Sequence, residues 1–348
     1  MKSSKSWKRW YLETLALNGS RMIYQGGDSS GPIRVVDLGP YRALYFDSPS
    51  CQGRVHRHKP WIPASDYITS MVFGATLAQG HQLKRALVLG LGPGAVVHSL
   101  RKMSPELKID TVEVRSTVIE VAKERFEVPD DELIEHICSD AAKFFKSYKD
   151  SGDEPYDYVI VDLAISEGPS PLVTQPAFWT ALATLVAPQG VICINLWRGK
   201  EHLFDWTIRQ MTKTFNQDPL CVEHKHIENI IAFSSPQPLE ASHVKGGLKR
   251  LVSLGDELEL NVRGGLEFLL RQMMELTPES TSESQAELQA DSQTEHDPSL
   301  NDQSEALNSS PRDKSTDAQP VEGDTAEQEV RVDPYEPSSP PSAVEPTS

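Results

Sequence analysis

The hydrophobic rhythm of the chain changes near Lys84. Before it, short apolar stretches are broken by turn residues. The cluster at 26–32 (Gly-Gly-Asp-Ser-Ser-Gly-Pro) predicts a turn, 33–38 a strand, Gly39-Pro40 a second turn and 41–46 another strand. Residues 7–53 therefore read as a small antiparallel β unit. From Asp66 to Gln79, Tyr67, Ile68, Met71, Val72, Ala75 and Ala78 recur at helical spacing, with Ser65 or Asp66 as the N-cap. After Lys84 continuous apolar runs alternate with helical patterns. Strands are predicted at 86–89, 109–114, 134–138, 158–161 and 191–196. Helices are predicted at 95–101, 116–126, from Ser139-Asp140-Ala141 onward, and at 175–186. Strands alternating with helices, with apolar runs rather than strict alternation, imply a mostly parallel sheet covered on both faces. Two further strands are expected near 219–222 and 229–233, then one or two amphipathic helices over 239–276. Three segments follow: a β unit at 1–64, an α/β domain at 65–276, and a tail at 277–348.

Charge separates the tail from the rest. The net charge is -16 over 348 residues, yet residues 277–348 hold 17 acidic and three basic side chains. The tail has nine prolines and a single aromatic, Tyr335. It cannot bury enough apolar surface to offset the entropy of ordering, so disorder is expected. The remaining residues, with 33 acids and 31 bases, are near neutral, which argues against bulk nucleic-acid binding. No apolar run approaches the ~18 residues of a membrane span. The basic N-terminus lacks the apolar core of a secretory signal. Cys51, Cys138, Cys193 and Cys221 show no C-x-x-C spacing. A cytoplasmic protein with reduced, buried thiols and no metal is the expectation.

In a parallel sheet, ligands bind beyond the carboxyl ends of the strands. Four such ends carry suggestive residues. The first is followed by Gly90-Leu91-Gly92-Pro93-Gly94, whose glycines let backbone approach a ligand. The second ends at Glu113, about 20 residues on, where a carboxylate can accept both ribose hydroxyls. Asp140 opens a helix, as an N-cap, as a partner for an adenine amino group, or both. Asp162 ends the fourth strand, where partial desolvation suits a base or a cation partner. This spacing fits a nucleoside cofactor but does not choose between nicotinamide and S-adenosyl chemistry. Elsewhere the readings are plain: His56 and His58 in a polar surface loop, His224 and His226 at a strand end without metal, and Trp197 and Phe178 as packing residues.

The set Leu87–Gly94, Val112-Glu113-Val114, Ser139-Asp140-Ala141, Tyr156–Asp162 and Gly168-Pro169 leading to Phe178-Trp179 resembles the spermidine synthase family. These are polyamine aminopropyltransferases on the class I methyltransferase fold. The resemblance implies a Rossmann-like, mostly parallel seven-stranded sheet. It implies an S-adenosyl co-substrate, either S-adenosylmethionine or its decarboxylated form, and no metal. The partners implied are a small amine acceptor such as putrescine and a second copy of the chain; neither membrane nor nucleic acid is implied. Gly90, Gly92 and Gly94 would line the nucleoside, Glu113 hold the ribose, Asp140 meet the adenine and Asp162 take the proton of the attacking amine. Tyr67 and Glu167 would face the acceptor. The chain departs from the family at Pro93 and Ile165, where acids are usual, and at Ile68-Thr69, where histidine and glutamate are usual. Three readings stay open: an aminopropyltransferase, an S-adenosylmethionine-dependent methyltransferase, and an inactive nucleoside-binding relative. The acidity of the tail is no argument for a polyamine substrate, because it lies outside the catalytic segment.

Overall fold

Strands β1 (Arg21–Asp28), β2 (Gly31–Leu38), β3 (Tyr41–Tyr45) and β4 (Cys51–His56) form an antiparallel sheet in sequential order. This is a computed structural model, and it describes residues 20–257 except 49, 79–82, 166–167, 198–200 and 225–228. The tail at 277–348, Glu167, His226 and the helical pattern expected beyond 257 lie outside the described residues. The first turn is tighter than the glycine cluster suggests. Gly26 and Gly27 are extended within β1, paired with Ile33 and Pro32, and the chain reverses at Ser29-Ser30. Strand parity sends Ile33, Val35, Leu44 and Val55 into the main core, and Val36, Ala43 and Tyr45 into a small separate cluster. The polar loop expected around His56 is instead the end of β4: His56 pairs with Tyr41, their ring centroids 4.6 Å apart.

The second sheet has seven strands in the order β12-β13-β11-β8-β5-β6-β7. They are β5 (Arg85–Leu89), β6 (Lys108–Glu113), β7 (Ile134–Cys138), β8 (Tyr156–Val161), β11 (Val186–Trp197), β12 (Leu220–Glu223) and β13 (Asn229–Ser234). β7, β6, β5, β8 and β11 run parallel, and β13 is antiparallel to both β11 and β12. A two-residue pair, β9 (Ala164–Ile165) with β10 (Gly168–Pro169), follows β8. The helices are α1 (Asp66–Leu77), α2 (Ala95–Met103), α3 (Ser116–Phe126), α4 (Ala141–Ser151), α5 (Pro176–Leu185), α6 (Glu201–Phe215) and α7 (Ala241–Glu257). Helix α6 has no counterpart in the apolar pattern noted above.

All six residues of β8 are buried, Asp157 included, which explains the apolar run at 158–161. Alternate side chains feed two cores. Val88, Ile160 and Cys193 meet α1 through Met71 and Phe73 on one face; Leu87, Val159 and Ile192 meet Trp179 and Leu182 on the other. Asp157 pins the start of β5, its Oδ2 accepting the Lys84 and Arg85 N–H groups at 2.7 and 3.0 Å. Phe178 and Trp179 pack as expected, Trp179 Nε1 donating to the Val173 carbonyl at 2.9 Å. The thiols differ from expectation: all four are free, but only Cys193 is buried, while Cys51 and Cys138 are exposed. Among the described residues no helix is long and apolar enough to cross a membrane.

Helix α1 lies against β8 and β13 through Gly74, where a Cβ would fall 2.3 Å from Tyr158 Oη and 2.6 Å from Phe233 Cε1. Tyr158 cannot yield, because its hydroxyl donates to the Met71 carbonyl. Gly74→Ala should therefore destabilise the chain by about 1–3 kcal/mol. Urea denaturation checks this; an unchanged midpoint would show that the helix can lift off the sheet freely.

Candidate active site at the sheet switch point

The strand order reverses beside β5, whose successors run outward to β6 and β7 on one side and to β8 and β11 on the other. A crevice opens there by topology alone. The Gly90 N–H donates to the Val112 carbonyl and the Asp162 N–H to the Leu89 carbonyl, both at 2.9 Å, which ties the ends of β5, β6 and β8 together. Gly90 has φ 95°, and a Cβ on it would sit 2.3 Å from the Asp162 carbonyl oxygen. Only glycine fits. Gly92 has φ 52° with nothing within 4 Å of where a Cβ would be, so its backbone borders open space.

That space is a cavity of about 360 Å³. Gly90, Gly92, Glu113, Asp140, Asp162 and Tyr67 all line it, and so does Pro93. Gly94 is not among its lining residues. It is the N-cap residue of α2, and a Cβ there would meet Val128 Cγ2 at 2.2 Å, so helix packing accounts for it. The floor is made by strand ends. The other wall comes from the N-terminal sheet and the turns flanking it, through Ser30, Phe46, Asp47 and Gln52.

Each carboxylate is held differently. Glu113 accepts the Leu91 N–H on Oε2 at 3.3 Å and the Arg115 N–H on Oε1 at 3.0 Å. Burial pushes its pKa up, and these backbone donors and the Arg115 charge only partly oppose that. A carboxylate offers about four acceptor sites, so acceptor capacity remains beyond the backbone contacts. Asp140 caps α4, its Oδ1 accepting the Ala142 and Lys143 N–H groups at 2.9 and 3.4 Å. Its Oδ2 takes no part in the cap. Asp162 accepts from Asn195 Nδ2 at 2.9 Å, yet burial dominates and raises its pKa. The Tyr67 phenol is likewise pushed up, by burial first and by Asp162 second.

Three site residues were not singled out from the sequence. Asn195 interrupts the apolar β11 run at its carboxyl end, a signal that could have marked it. Asn229 donates through Nδ2 to Asn195 Oδ1 at 2.9 Å. Arg115, two residues past Glu113, reaches across to the N-terminal sheet. Its Nε and Nη2 bind the two Asp28 carboxylate oxygens at 3.0 and 2.9 Å, Nη2 also donates to the Gly31 carbonyl at 2.8 Å, and the guanidinium lies 4.6 Å from the Phe46 ring centroid. Arg115 lines the cavity too, so one side chain joins the loop after Glu113 to the opposite wall. One plain reading changes: Trp197 is 37% exposed rather than packed and does not line the cavity. His224 directly follows β12, as expected, and is buried there with its Nε2 3.2 Å from Ser70 Oγ.

A wider, open groove of about 940 Å³ lies at the amino ends of β5, β6 and β8. Its polar groups satisfy one another: Asp110 accepts from Tyr156 Oη at 2.7 Å and from Arg85 Nη2 at 3.0 Å. Strand amino ends, at Arg85, Lys108 and Tyr156, frame most of it, so the smaller cavity is the better site despite its size.

Residues 65–218 match the family described as the Spermine/spermidine synthase domain. Putrescine N-methyltransferase 2 of Nicotiana tabacum is 23% identical over 188 residues, covering 53% of this chain and 50% of that protein. Spermine synthase of Arabidopsis thaliana is 33% identical over 114 residues, covering 32% of this chain and 31% of that protein. The chain thus spans about half the length, or less, of these curated relatives. Among solved structures, a probable spermidine synthase from Corynebacterium glutamicum superposes with a TM-score of 0.55 at 16% identity, covering 65% of this chain and 86% of that one. At that identity the likeness is one of fold. The sheet order is that of the class I methyltransferase fold. Within that fold, residues 65–218 are similar to the spermine and spermidine synthases.

The Arg115 clamp generates a prediction. Its side chain is 9% exposed and that of Asp28 22%, so Arg115→Met removes charge-assisted bonds worth about 2 kcal/mol from a half-dry interface. Amide exchange in β1 and β2 should accelerate while β5 and β8 stay protected. Equal exchange in both regions, before and after the change, would show that the clamp does not hold the wall.

Proposed function

We propose that this chain is a transferase that binds an S-adenosyl nucleoside in the 360 Å³ cavity and moves an alkyl group from its sulfonium onto a small amine. One observation carries the reading: the glycine loop, Glu113, Asp140 and Asp162 converge on a single cavity at strand carboxyl ends. The free acceptor sites of Glu113 suit a ribose diol. Asp140 Oδ2 suits the adenine amino group. Asp162 lies at the end of β8, on the β11 side of the glycine loop.

The reaction needs a neutral amine. Its lone pair attacks the carbon next to sulfur, a C–N bond forms as the C–S bond breaks, and the electron pair returns to sulfur, leaving a neutral thioether. The alkylated nitrogen gives its extra proton to the Asp162 carboxylate. A base whose pKa is raised toward working pH holds that proton better than an ordinary carboxylate, and burial raises Asp162 in this sense. Holding both reactants in line supplies further acceleration.

The likeness to spermine and spermidine synthases supports aminopropyl transfer to an acceptor such as putrescine. A second reading, methyl transfer from S-adenosylmethionine, is favoured by Pro93. Its ring lines the cavity and stands against Gly53 of β4, where a Cβ would lie 2.7 Å from Pro93 Cγ and Cδ. The family places an acid there to meet the donor's ammonium group. An apolar ring cannot compensate a desolvated cation, so the decarboxylated donor loses more from this change than the carboxylated one. Likeness to putrescine N-methyltransferase supports the same direction.

Calorimetry with S-adenosylmethionine, its decarboxylated form and methylthioadenosine, followed by assay with putrescine, separates these. Tighter binding of the decarboxylated donor with aminopropyl transfer supports the first reading; preference for S-adenosylmethionine with methyl transfer supports the second; no binding of any nucleoside contradicts the proposal. Asp162→Asn should reduce turnover by about 10²-fold or more with nucleoside affinity within about threefold; retained turnover would remove Asp162 as the base. Glu113 must be ionised to accept two hydroxyls. Since burial raises its pKa, nucleoside binding should weaken as pH falls, beginning above the ordinary carboxylate range. Glu113→Gln should flatten that dependence, and a pH dependence unchanged in the variant would assign it elsewhere.

A further inference from the structure

Three adjacent strands form one polar chain that ends at Asp162 in the cavity. Asn229 on β13 donates through Nδ2 to Asn195 Oδ1, and Asn195 on β11 donates through Nδ2 to Asp162 Oδ1 at the end of β8, each at 2.9 Å. Register brings them together: Ile194 pairs with Val161, so Asn195 stands beside Asp162, and Asn229 pairs with Trp197 two residues along. We propose that Asn195 and Asn229 are positioning residues for the reaction, an amide relay that fixes the orientation of Asp162 and holds its carboxylate ready to take the amine proton. This deepens the transferase reading given above and rests on it.

The direction of the relay is what gives it force. An asparagine amide has a donor end and an acceptor end. Because Asn229 donates to Asn195 Oδ1, the donor end of Asn195 is the one turned to Asp162. An N–H facing a carboxyl oxygen stabilises the ionised form and opposes a protonated oxygen at that place. Oδ1 is thereby engaged, and Oδ2 is the oxygen left for the proton of an incoming amine. Without Asn229 the Asn195 amide can turn over and present its oxygen to Asp162, which repels the carboxylate.

The other groups facing Asp162 do not perform this task. Tyr67 approaches from α1 and Cys193 from β11, and burial raises the pKa of both, so both stay neutral. Glu113 lines the same cavity from β6, Asp47 from the N-terminal wall, and Asp140 from α4, all acids that add negative charge. The cation lining the cavity, Arg115, is engaged by Asp28. The Asn195 donor is what offsets burial at Asp162.

The test uses the full chain with carboxyl carbons of aspartate labelled, titrated by NMR in the wild type, Asn195→Ala and Asn229→Ala, with Asp162→Asn assigning the signal. Asp162 should titrate at higher pH in Asn195→Ala and move the same way, by less, in Asn229→Ala. In the transfer assay Asn195→Ala should lower kcat about tenfold or more with KM within about threefold, and the acid limb of its pH profile should move upward with the NMR shift. Nucleoside affinity should stay unchanged, since neither amide touches the glycine loop. A folded Asn195→Ala chain whose Asp162 titrates as in the wild type overturns the relay; if that variant does not fold, an unshifted Asp162 in Asn229→Ala does so. Absence of transfer by the wild type, with the NMR shifts intact, contradicts the transferase reading and upholds the relay.

Discussion

The site depends on one close approach. The ends of β5 and β8 meet so tightly that the Asp162 carbonyl occupies the place where Gly90 would carry a Cβ, at 2.3 Å. Any larger residue at 90 would force the two strand ends apart. They would carry with them the loop through Gly92 and Pro93, the carboxylate of Asp162 and the hydrogen bond that joins Asp162 to Leu89. The cavity exists because backbone fills backbone at this point and the side chains on either side can turn into the crevice. The switch in strand order supplies the crevice; the glycine sets its depth.

Around that contact the two β sheets divide the work. The parallel sheet provides the acids, each at the end of a strand or the start of a helix, and each held by a different neighbour. Backbone N–H groups hold Glu113, helix capping holds Asp140 and an amide chain holds Asp162. The small N-terminal sheet provides a lid-like wall of Phe46, Gln52 and the turn at Ser30, fastened through the Arg115–Asp28 pair. An arginine in this position is apt. Its planar fork binds both carboxylate oxygens while its face lies on an aromatic ring, so one residue seals a mixed polar and apolar seam.

Much of this was legible from the order of residues. The run at 158–161 before Asp162 is apolar throughout because β8 is covered on both faces, and such a run announces a parallel sheet. The helix at Ser116–Phe126 and the strand at Ile134–Cys138 fall where periodicity placed them. The glycines announced the crevice, though Gly94 does not line it and packs against Val128. What escaped depends on contacts distant in the chain. Arg115 looks like an ordinary charged residue until Asp28, 87 positions away, is folded beneath it. Asn229 has meaning only beside Asn195, 34 positions away. Trp197 was misjudged because burial at a strand end depends on which neighbouring segment covers it, which local hydropathy does not encode.

The account turns on one cavity holding a nucleoside with its sulfur turned toward Asp162. A crystal structure of the full chain soaked with S-adenosylhomocysteine tests this most directly. The account predicts ribose hydroxyls within hydrogen-bond distance of Glu113, adenine beside Asp140, and sulfur on the Asp162 side of the glycine loop. A nucleoside seated instead in the groove of Arg85, Asp110 and Tyr156, or bound with its ribose away from Glu113, would contradict it.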